Sequence, residues 1–502
     1  MKRSFTTVII SLAFALFITP TSAKTLRIGL AEDPDTLDPT LSRTLVARIV
    51  FAAMCDKLFD LGPNLEIVPQ LATSYSWASD NKTLTLHLRE NVTFQNGEPF
   101  DASAVKFSLG RHLTMAGTNR KGEIGAISGV SALDDHTVRI DLSTPFAPLL
   151  TQLADRAGMM VAPKAATTAG DKFAQNPVCV GPFKFRERVA QDRIVMERDQ
   201  GYWDKDHFAI DEVVYRPLPD SSVRLANLQS GDLDMIERVA ATDMAALRQY
   251  KRLATASAPE LGWTGIIFNI ANGAGATQPL AQQKRLREAF ELTLDRAAIN
   301  QVVFEGDFIP GNQFVPPSSP YYVASLPPPA RDVAKAKRIL TELGQPHLAV
   351  ELTAFNNPDQ LRVAEVIQSM ASEAGFDVKI VAQEVTAALR AQDHGDFIAG
   401  LTFWSGRADP DGNISIWASC KAALNGGKYC NPTLEALLAK ARQTIDESER
   451  KPLYAEAMAL LLDERPFIWL FHRRWDWAFT TKLEGFKPQP DGLIRLREVS
   501  LR

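Results

Sequence analysis

Helical and strand-like patterns alternate through the second half of this chain, and that alternation limits the folds open to it. Apolar residues recur at helical or strand spacing in seven segments: helices at 285–300, 333–343, 360–374 and 434–445, and strands at 349–352, 378–381 and 398–403. Alternating helices and strands are typical of βα units in an α/β domain. In the first half, Leu residues at 84, 86 and 88 alternate with polar residues and indicate a half-buried strand. We therefore predict an α/β fold.

The amino terminus has the features of an export signal. Lys2 and Arg3 precede a largely apolar run over 8–19, and Thr21-Ser22-Ala23 ends in small residues suited to a signal peptidase. We predict a signal peptide over 1–23 that is cleaved, and a mature protein free in the periplasm; an uncleaved anchor helix is the alternative. No Cys lies near the cleavage point, so we expect no lipoprotein.

Length and charge narrow the classes of protein. Cleavage leaves 479 of the 502 residues, more than one hydrophobic core usually organises, so we expect at least two lobes. The mature chain carries 53 basic and 59 acidic residues, and it contains no basic run that would follow a phosphate backbone. We expect no nucleic acid as a partner.

Four cysteines in an exported chain can form disulfides. Cys420 and Cys430 flank a turn-rich segment and are predicted to bond to each other. Cys55 and Cys179 lie far apart in the sequence, and either two buried thiols or a second bridge fits them. No Cys-x-x-Cys or His-x-x-x-His pattern accompanies the four, so we predict neither a metal site nor a cofactor.

Eight short motifs resemble, in the same order, those of one protein family. They are Leu37-Asp38-Pro39, the turn at 92–100, Gly181-Pro182-Phe183, Tyr202-Trp203, the turn at 230–234, Phe268-Asn269, the helix from Arg287 to Arg296, and the segment from Gly400 to Asn413. Together they resemble the solute-binding proteins of the dipeptide, oligopeptide and nickel ABC importers, known as solute-binding protein family 5. The resemblance covers essentially the whole mature chain.

The resemblance implies a two-lobed periplasmic binding protein fold of the cluster C type. The first lobe would comprise 24–57, 179–261 and a return segment at 471–502, with an extra subdomain at 58–178, and the second lobe would be 262–470. The connections between lobes would lie near 264–270 and 468–479. Such lobes close over a solute, and the permease subunits of the importer, with their cytoplasmic ATPase subunits, recognise the closed form. A monomer that binds peptides or peptide-like amino-acid conjugates is expected, and an opine, nickel-chelate or haem receptor is the alternative.

The cavity-lining motif departs from its dipeptide-binding relatives. Trp404 occupies the position of the cavity tryptophan, followed by Ser405 and Gly406, but Arg407 stands where those relatives carry an acid that pairs with the ligand's amino group. Arg407 either anchors an anionic group of the ligand or pairs within its loop with Asp409 or Asp411.

Other candidate contacts lie outside that motif. Phe355 stands ahead of Asn356-Asn357-Pro358, where the relatives place an arginine for the peptide carboxylate, and core packing is its alternative role. Asp33, with its neighbour Glu32, could supply a negative group from the first lobe, and solvation in the loop is the alternative for both. A secreted hydrolase is the hypothesis from another class, but no Gly-x-Ser-x-Gly or His-Glu-x-x-His motif occurs and no catalytic residue is predicted.

Overall fold

A computed structural model describes residues 23–502. The predicted signal peptide therefore lies outside the described residues, apart from Ala23. The strands of the described chain are β1 (Thr25–Leu30), β2 (Phe59–Leu61), β3 (Ile67–Pro69), β4 (Ala72–Trp77), β5 (Thr83–Leu88), β6 (Ile127–Ala132), β7 (Thr137–Leu142), β8 (Phe183–Val189), β9 (Arg193–Arg198), β10 (Glu212–Pro217), β11 (Met235–Glu237), β12 (Leu253–Pro259), β13 (Trp263–Phe268), β14 (Ile309–Pro310), β15 (Leu348–Phe355), β16 (Phe376–Gln383), β17 (Ala399–Trp404), β18 (Phe467–His472), β19 (Arg474–Thr480), β20 (Leu483–Glu484) and β21 (Ser500–Leu501).

The α-helices lie mostly in the second half of the chain. They are α1 (Leu45–Met54), α2 (Ala102–Thr114), α3 (Lys121–Ile124), α4 (Leu149–Leu153), α5 (Pro163–Ala169), α6 (Ser221–Ser230), α7 (Ala241–Leu247), α8 (Pro279–Gln282), α9 (Lys284–Leu292), α10 (Arg296–Phe304), α11 (Val333–Glu342), α12 (Pro358–Ser372), α13 (Val385–His394), α14 (Asp411–Ala418), α15 (Pro432–Gln443) and α16 (Glu447–Glu464).

Two mixed sheets form the centres of two lobes. The first-lobe sheet has the order β12-β19-β11-β1-β10-β9-β8, and the second-lobe sheet has the order β14-β18-β13-β17-β15-β16. β1 pairs in parallel with β10 and β11, and β15 pairs in parallel with β16 and β17. The helices between β15, β16 and β17 supply the crossovers that parallel pairs require. The α/β prediction is confirmed.

A third sheet, β4-β5-β7-β6, forms the extra subdomain with α2. The alternation that predicted β5 places Leu84, Leu86 and Leu88 on the buried face. One large apolar core joins this subdomain to the first-lobe sheet, whereas separate cores fill the second lobe. The subdomain is therefore packed as part of the first lobe.

The predicted helix at 285–300 is two helices, α9 and α10. The chain leaves helical geometry after Leu292, and Asp295 caps the second helix by accepting a hydrogen bond from the amide of Ala298 at 2.9 Å. Aspartate is a strong N-cap residue because its carboxylate accepts from amides that have no partner within the helix. The apolar spacing continues across the break, so periodicity alone suggested one helix.

Two connections join the lobes side by side. One leads from β12 to β13 through Glu260, and the other leads from β18 to β19 through Arg473. The guanidinium of Arg473 donates to Glu260 at 3.0 Å, and Glu260 is 1% exposed. β13 lies wholly within the second-lobe sheet, so the first connection precedes the segment predicted at 264–270. The ion pair holds the two crossing points together.

Candidate functional site

The two lobes face each other across a cleft, and several cavities lie along it. One of them, here called the main cleft, has a volume of about 190 Å³ and is lined by first-lobe residues such as Asp33 and Arg238 and by second-lobe residues such as Thr264 and Phe355. A small cavity of about 50 Å³, the Trp pocket, shares Phe355 and Phe403 with it. Residues from both lobes thus surround one space.

The third cavity, here called the Arg407 cavity, has a volume of about 430 Å³ and lies between the extra subdomain and α14. Glu123 and Gln152 line it from the first lobe, and Arg407 and Asp411 line it from the second. Trp404 lines both this cavity and the Trp pocket. The indole ring is therefore the wall that the two spaces share.

Trp404 ends β17 with its ring fixed in place. Its Nε1 donates to the carbonyl oxygen of Gly412 at 2.9 Å and to Asn413 Oδ1 at 3.1 Å, and its ring packs edge-on against Trp417 with 5.8 Å between centroids. The side chain is 5% exposed. A rigid aromatic wall provides apolar area to a ligand without imposing a single partner geometry. The structure places the predicted residue at the cleft.

The turn after Trp404 requires glycine. Gly406 has a φ of +77°, and a Cβ there would lie 2.3 Å from the carbonyl carbon of Leu261. Left-handed backbone and close approach both favour glycine. The turn brings Ser405 Oγ within 3.2 Å of the Arg48 guanidinium, which donates to it from the first lobe. Ser405 and Gly406 thus position the next residue, Arg407, between the lobes.

Arg407 pairs with neither acid of its own loop, so that expectation is wrong. Its Nε lies 2.5 Å from Asp155 Oδ2 as an ion pair with the first lobe, and its guanidinium lies 4.2 Å from the centre of the Trp404 ring. Asp409 pairs with Arg450 and Asp411 pairs with Arg442. Burial beside the positive Arg48 lowers the pKa of Arg407 to about 10. The alternative of a ligand contact stays open, since Arg407 lines a cavity.

Phe355 lines both the main cleft and the Trp pocket, although it is only 3% exposed. Its ring packs edge-on against Phe403 with 6.0 Å between centroids. The guanidinium of Arg473 lies 4.2 Å from the centre of the Phe403 ring, and that of Arg238 lies 5.6 Å from it. Aromatic rings and guanidinium groups attract in this arrangement. The cleft therefore has an aromatic floor bordered by cations.

Asp33 and Glu32 are both buried, so the expectation of solvation in the loop is wrong. Asp33 Oδ2 accepts from Arg188 at 3.0 Å and from the amide of Gln191 at 3.1 Å. Glu32 Oε1 accepts from Arg238 at 3.1 Å, and burial raises the pKa of Glu32. Both line the main cleft, and Asp33 Oδ1 has no hydrogen-bond partner among residues 23–502. The two carboxyl groups supply acceptors from the first lobe.

The sequence analysis missed several residues of the main cleft. Arg238 holds a φ of +50° and bridges Glu32 and Glu237. Arg224 donates to the carbonyls of Leu218 and Arg238. A polar residue in left-handed backbone marks many functional sites, but φ cannot be read from a sequence. Arg224 lies within α6 and Arg238 directly follows β11, and no sequence motif distinguishes either arginine.

Contacts between the lobes occur at two further places. Arg43 pairs with Asp393 at 2.6 Å, and the amide of Ala147 donates to the carbonyl of Arg442 at 2.8 Å. Both disulfides are formed: the predicted Cys420–Cys430 bond is confirmed, and of the two alternatives for Cys55 and Cys179 the second bridge is the one present. In the described part of the chain, no group of three or more His, Cys, Asp and Glu side chains could hold a metal ion.

A family model for bacterial extracellular solute-binding proteins, family 5 Middle, matches residues 66–425. The chain belongs to this family. It binds a solute for an ABC importer, and the family is not one of enzymes. The family assignment and the two-lobed fold are thereby confirmed. No helix in the described range is long and apolar enough to cross a bilayer.

Several relatives resemble this family 5 protein along nearly their whole length. This chain is 28% identical over 495 residues to the glutathione-binding protein GsiB of Pectobacterium atrosepticum, and the match covers 96% of this chain and 95% of that one. The structure of AgaA from A. tumefaciens R10 in complex with agropinic acid is 26% identical, with a TM-score of 0.86 over 95% of this chain and 99% of that chain. DppA of Helicobacter pylori in complex with the peptide STSA is also 26% identical, with a TM-score of 0.87 over 95% and 98% of the two chains.

Proposed function

We propose that this protein binds peptides or peptide-like amino-acid conjugates in the periplasm and delivers them to the permease of an ABC importer. The observation that carries the proposal is a set of oxygens that line the main cleft without hydrogen-bond partners in residues 23–502: Asp33 Oδ1, Thr264 Oγ1 and Gln360 Oε1. Buried acceptors are costly unless a donor reaches them. Peptide N–H and ammonium groups are such donors.

The charge of the main cleft supports the same class of solute. Arg238 and Arg473 are paired with Glu32 and Glu260, and Asp33 is paired with Arg188. The cleft therefore presents balanced pairs of opposite charge above an aromatic floor, which suits a zwitterion with apolar parts better than a multiply charged ion. Glutathione, agropinic acid and a tetrapeptide, the solutes named for the three relatives, all combine amide or amine groups with carboxylates.

Binding in a cleft between lobes also explains how a solute could signal to a permease. A solute that touches Asp33 of the first lobe and Phe355 of the second contributes contacts only in the closed form. Such differential contacts shift the population toward closure. The ion pair between Arg43 and Asp393 forms across the same gap and would add to them.

Isothermal titration calorimetry tests the proposal with four probes: the peptide STSA, glutathione, agropinic acid and a nickel–histidine chelate. Binding of at least one of the first three, with the solute recovered unchanged, is the expected result. Thr264→Val, which removes one unpartnered hydroxyl at nearly constant volume, should weaken that binding by about 1 to 3 kcal/mol. Binding of the nickel chelate alone would contradict the proposal.

The periplasmic location has its own test. In a bacterial host, the osmotic-shock fraction should contain a mature chain that begins at Lys24, as measured by intact-protein mass spectrometry. A full-length chain in the membrane fraction would contradict the cleaved signal peptide.

A further inference from the structure

The most unusual feature beside the cleft is a buried cluster of charged side chains with unequal numbers of positive and negative groups. It contains four arginines and two acids, here called the arginine cluster: Arg48, Arg120, Arg156, Arg407, Glu123 and Asp155. None of the six is more than 8% exposed. Arginine stays protonated in proteins, so the cluster holds two positive charges in excess.

Both carboxylates of the cluster lie in ion pairs with its arginines. Arg120 Nη1 donates to both oxygens of Glu123, at 2.7 and 2.9 Å. Asp155 Oδ1 lies 3.1 Å from Arg48 Nε, and Asp155 Oδ2 lies 2.5 Å from Arg407 Nε. Asp155 Oδ1 also lies 3.9 Å from Arg156 Nε. Three guanidinium groups thus share one carboxylate.

Two neighbouring acids, Asp491 and Asp411, do not compensate for the excess, because each already has its own cation. Asp491, whose charge acts on Arg48, forms an ion pair with Arg495 at 2.7 Å. Asp411 forms an ion pair with Arg442 at 2.8 Å. A buried charge without a counterion is strongly unfavourable, so protein structures normally pair such charges.

The pKa values of two arginines in the cluster reflect this excess of positive charge. Burial and the positive charge of Arg120 lower the pKa of Arg156 well below its ordinary value, although Asp155 opposes the change. Burial and Arg48 lower the pKa of Arg407 to about 10. An additional negative charge near these groups would therefore stabilise the folded, closed protein.

One guanidinium of the cluster is placed to receive such a charge. Arg407 lines the Arg407 cavity, and its Nη2 is buried without a hydrogen-bond partner in the described chain. The same cavity is lined by Gln152 and Ser415, which add polar surface. Glu123 also lines it, but both of its oxygens are taken by Arg120.

We infer that the Arg407 cavity binds an oxyanion, and that Arg407 Nη2 contacts it directly. This inference rests on the proposed function, because the cavity adjoins the solute cleft at Trp404. A carboxylate of the solute is the first source of the oxyanion, since a solute lying against the Trp404 ring could extend a group past it. Inorganic phosphate is the second source, and it would bind with the same chemistry.

Matched probes distinguish the two sources. Calorimetry compares STSA with its carboxy-terminal amide, and glutathione with its diethyl ester, for the wild type, Arg407→Gln and Arg407→Lys. If the solute supplies the oxyanion, the wild type should bind the free acid about 10- to 100-fold more tightly than its neutral derivative. Arg407→Gln should lose that preference, and Arg407→Lys should keep part of it because a lysine retains the charge without the two-pronged guanidinium.

The second arm measures thermal unfolding with and without about 10 mM phosphate, at constant ionic strength so that charge screening stays the same. If inorganic phosphate is the source, it should raise the midpoint of the wild type but not that of Arg407→Gln, while the free acids and neutral derivatives bind equally well. Arg338→Gln, a change of an exposed arginine on α11, is the control and should match the wild type in both arms. Far-UV circular dichroism checks that each variant is folded.

The outcomes separate this inference from the proposed function. Equal binding of acids and neutral derivatives, together with no effect of phosphate on any variant, would overturn the oxyanion site while leaving solute binding intact. If none of STSA, glutathione and agropinic acid binds the wild type, the proposed function fails, and the phosphate arm still decides whether the cavity holds an anion.

Discussion

Arg407 Nε lies 2.5 Å from Asp155 Oδ2, and this ion pair joins the two lobes beside the candidate solute cleft. The arginine follows the cavity tryptophan, and the acid precedes a short 3₁₀ turn of the first lobe at Arg156–Gly158. Both side chains are buried. A contact of this kind can form only when the lobes are closed, so its strength bears on how readily the protein opens.

Asp155→Asn should destabilise the closed protein more than any exposed change at the lobe interface. The substitution leaves Arg48, Arg156 and Arg407 buried around a neutral group, and removing one partner of a buried pair costs about 3 to 5 kcal/mol. Urea unfolding measures the loss. Asp393→Asn is the matched control, because its pair with Arg43 is 43% exposed on the Asp side and should contribute less than about 1 kcal/mol. Equal losses for the two variants would contradict this account.

Gly406→Ala should be far more destabilising than Gly344→Ala. Both glycines have positive φ, +77° and +70°, so each substitution costs about 1 kcal/mol of backbone strain. At position 406 the new Cβ also meets the backbone of Leu261 at 2.3 Å, whereas nothing lies within 4 Å at position 344. Thermal unfolding should show the small effect at 344 and an effect larger by about 1 to 3 kcal/mol at 406. A similar midpoint for both variants would show that the turn tolerates the contact.

The two disulfides should contribute unequally to stability. Cys55–Cys179 closes a loop with a sequence separation of 124, and Cys420–Cys430 closes one with a separation of 10. A cross-link removes more entropy from the unfolded chain when it closes a longer loop. The stabilisation of the folded protein is therefore about 5 kcal/mol for the long loop and about 3 kcal/mol for the short one. Paired Cys→Ser variants in urea test this order. A larger loss from the short loop would point to a native-state effect instead.

Asp56 should make the protein more stable as the pH falls from 7 toward 4. Burial raises the pKa of this carboxyl to about 7, even though Trp203 and Tyr202 donate hydrogen bonds to it. Because the folded pKa lies above the unfolded one, the contribution of the group is fully present below about pH 4 and is lost as the pH rises through 7. The stability of the wild type relative to Asp56→Asn should therefore fall by up to about 1.4 kcal/mol per pH unit across that window. A constant difference between pH 4 and pH 7 would contradict the raised pKa.

The sequence predicted the fold better than it predicted the site. The alternation of leucines over β5 and the helical spacing over α11, α12 and α15 indicated elements that the structure contains, because each depends on one buried face. The order of eight short motifs indicated the family, and the last of these motifs predicted that Trp404 lies at the cleft. The Cys420–Cys430 bond could be predicted because its partners are close in the sequence.

The remaining site residues depend on contacts that a sequence does not record. One of the two alternatives for Arg407 paired it with Asp409 or Asp411 of its loop, but those acids pair with Arg450 and Arg442 from later helices. Solvation in the loop was the alternative to a ligand contact for Asp33, but Arg188 from β8 forms an ion pair with it. The Cys55–Cys179 bond likewise depends on tertiary folding. Pairs between distant segments form only once the lobes are assembled, so local patterns could not predict them.

Small-angle X-ray scattering tests the central claim, that two lobes close over a solute, most directly. The wild type would be measured alone and with a saturating concentration of whichever calorimetric probe binds. The account predicts a smaller radius of gyration with the solute, and the same change should be weaker in Asp155→Asn, which lacks the buried pair between the lobes. Identical scattering profiles with and without a solute that calorimetry shows to be bound would contradict the account.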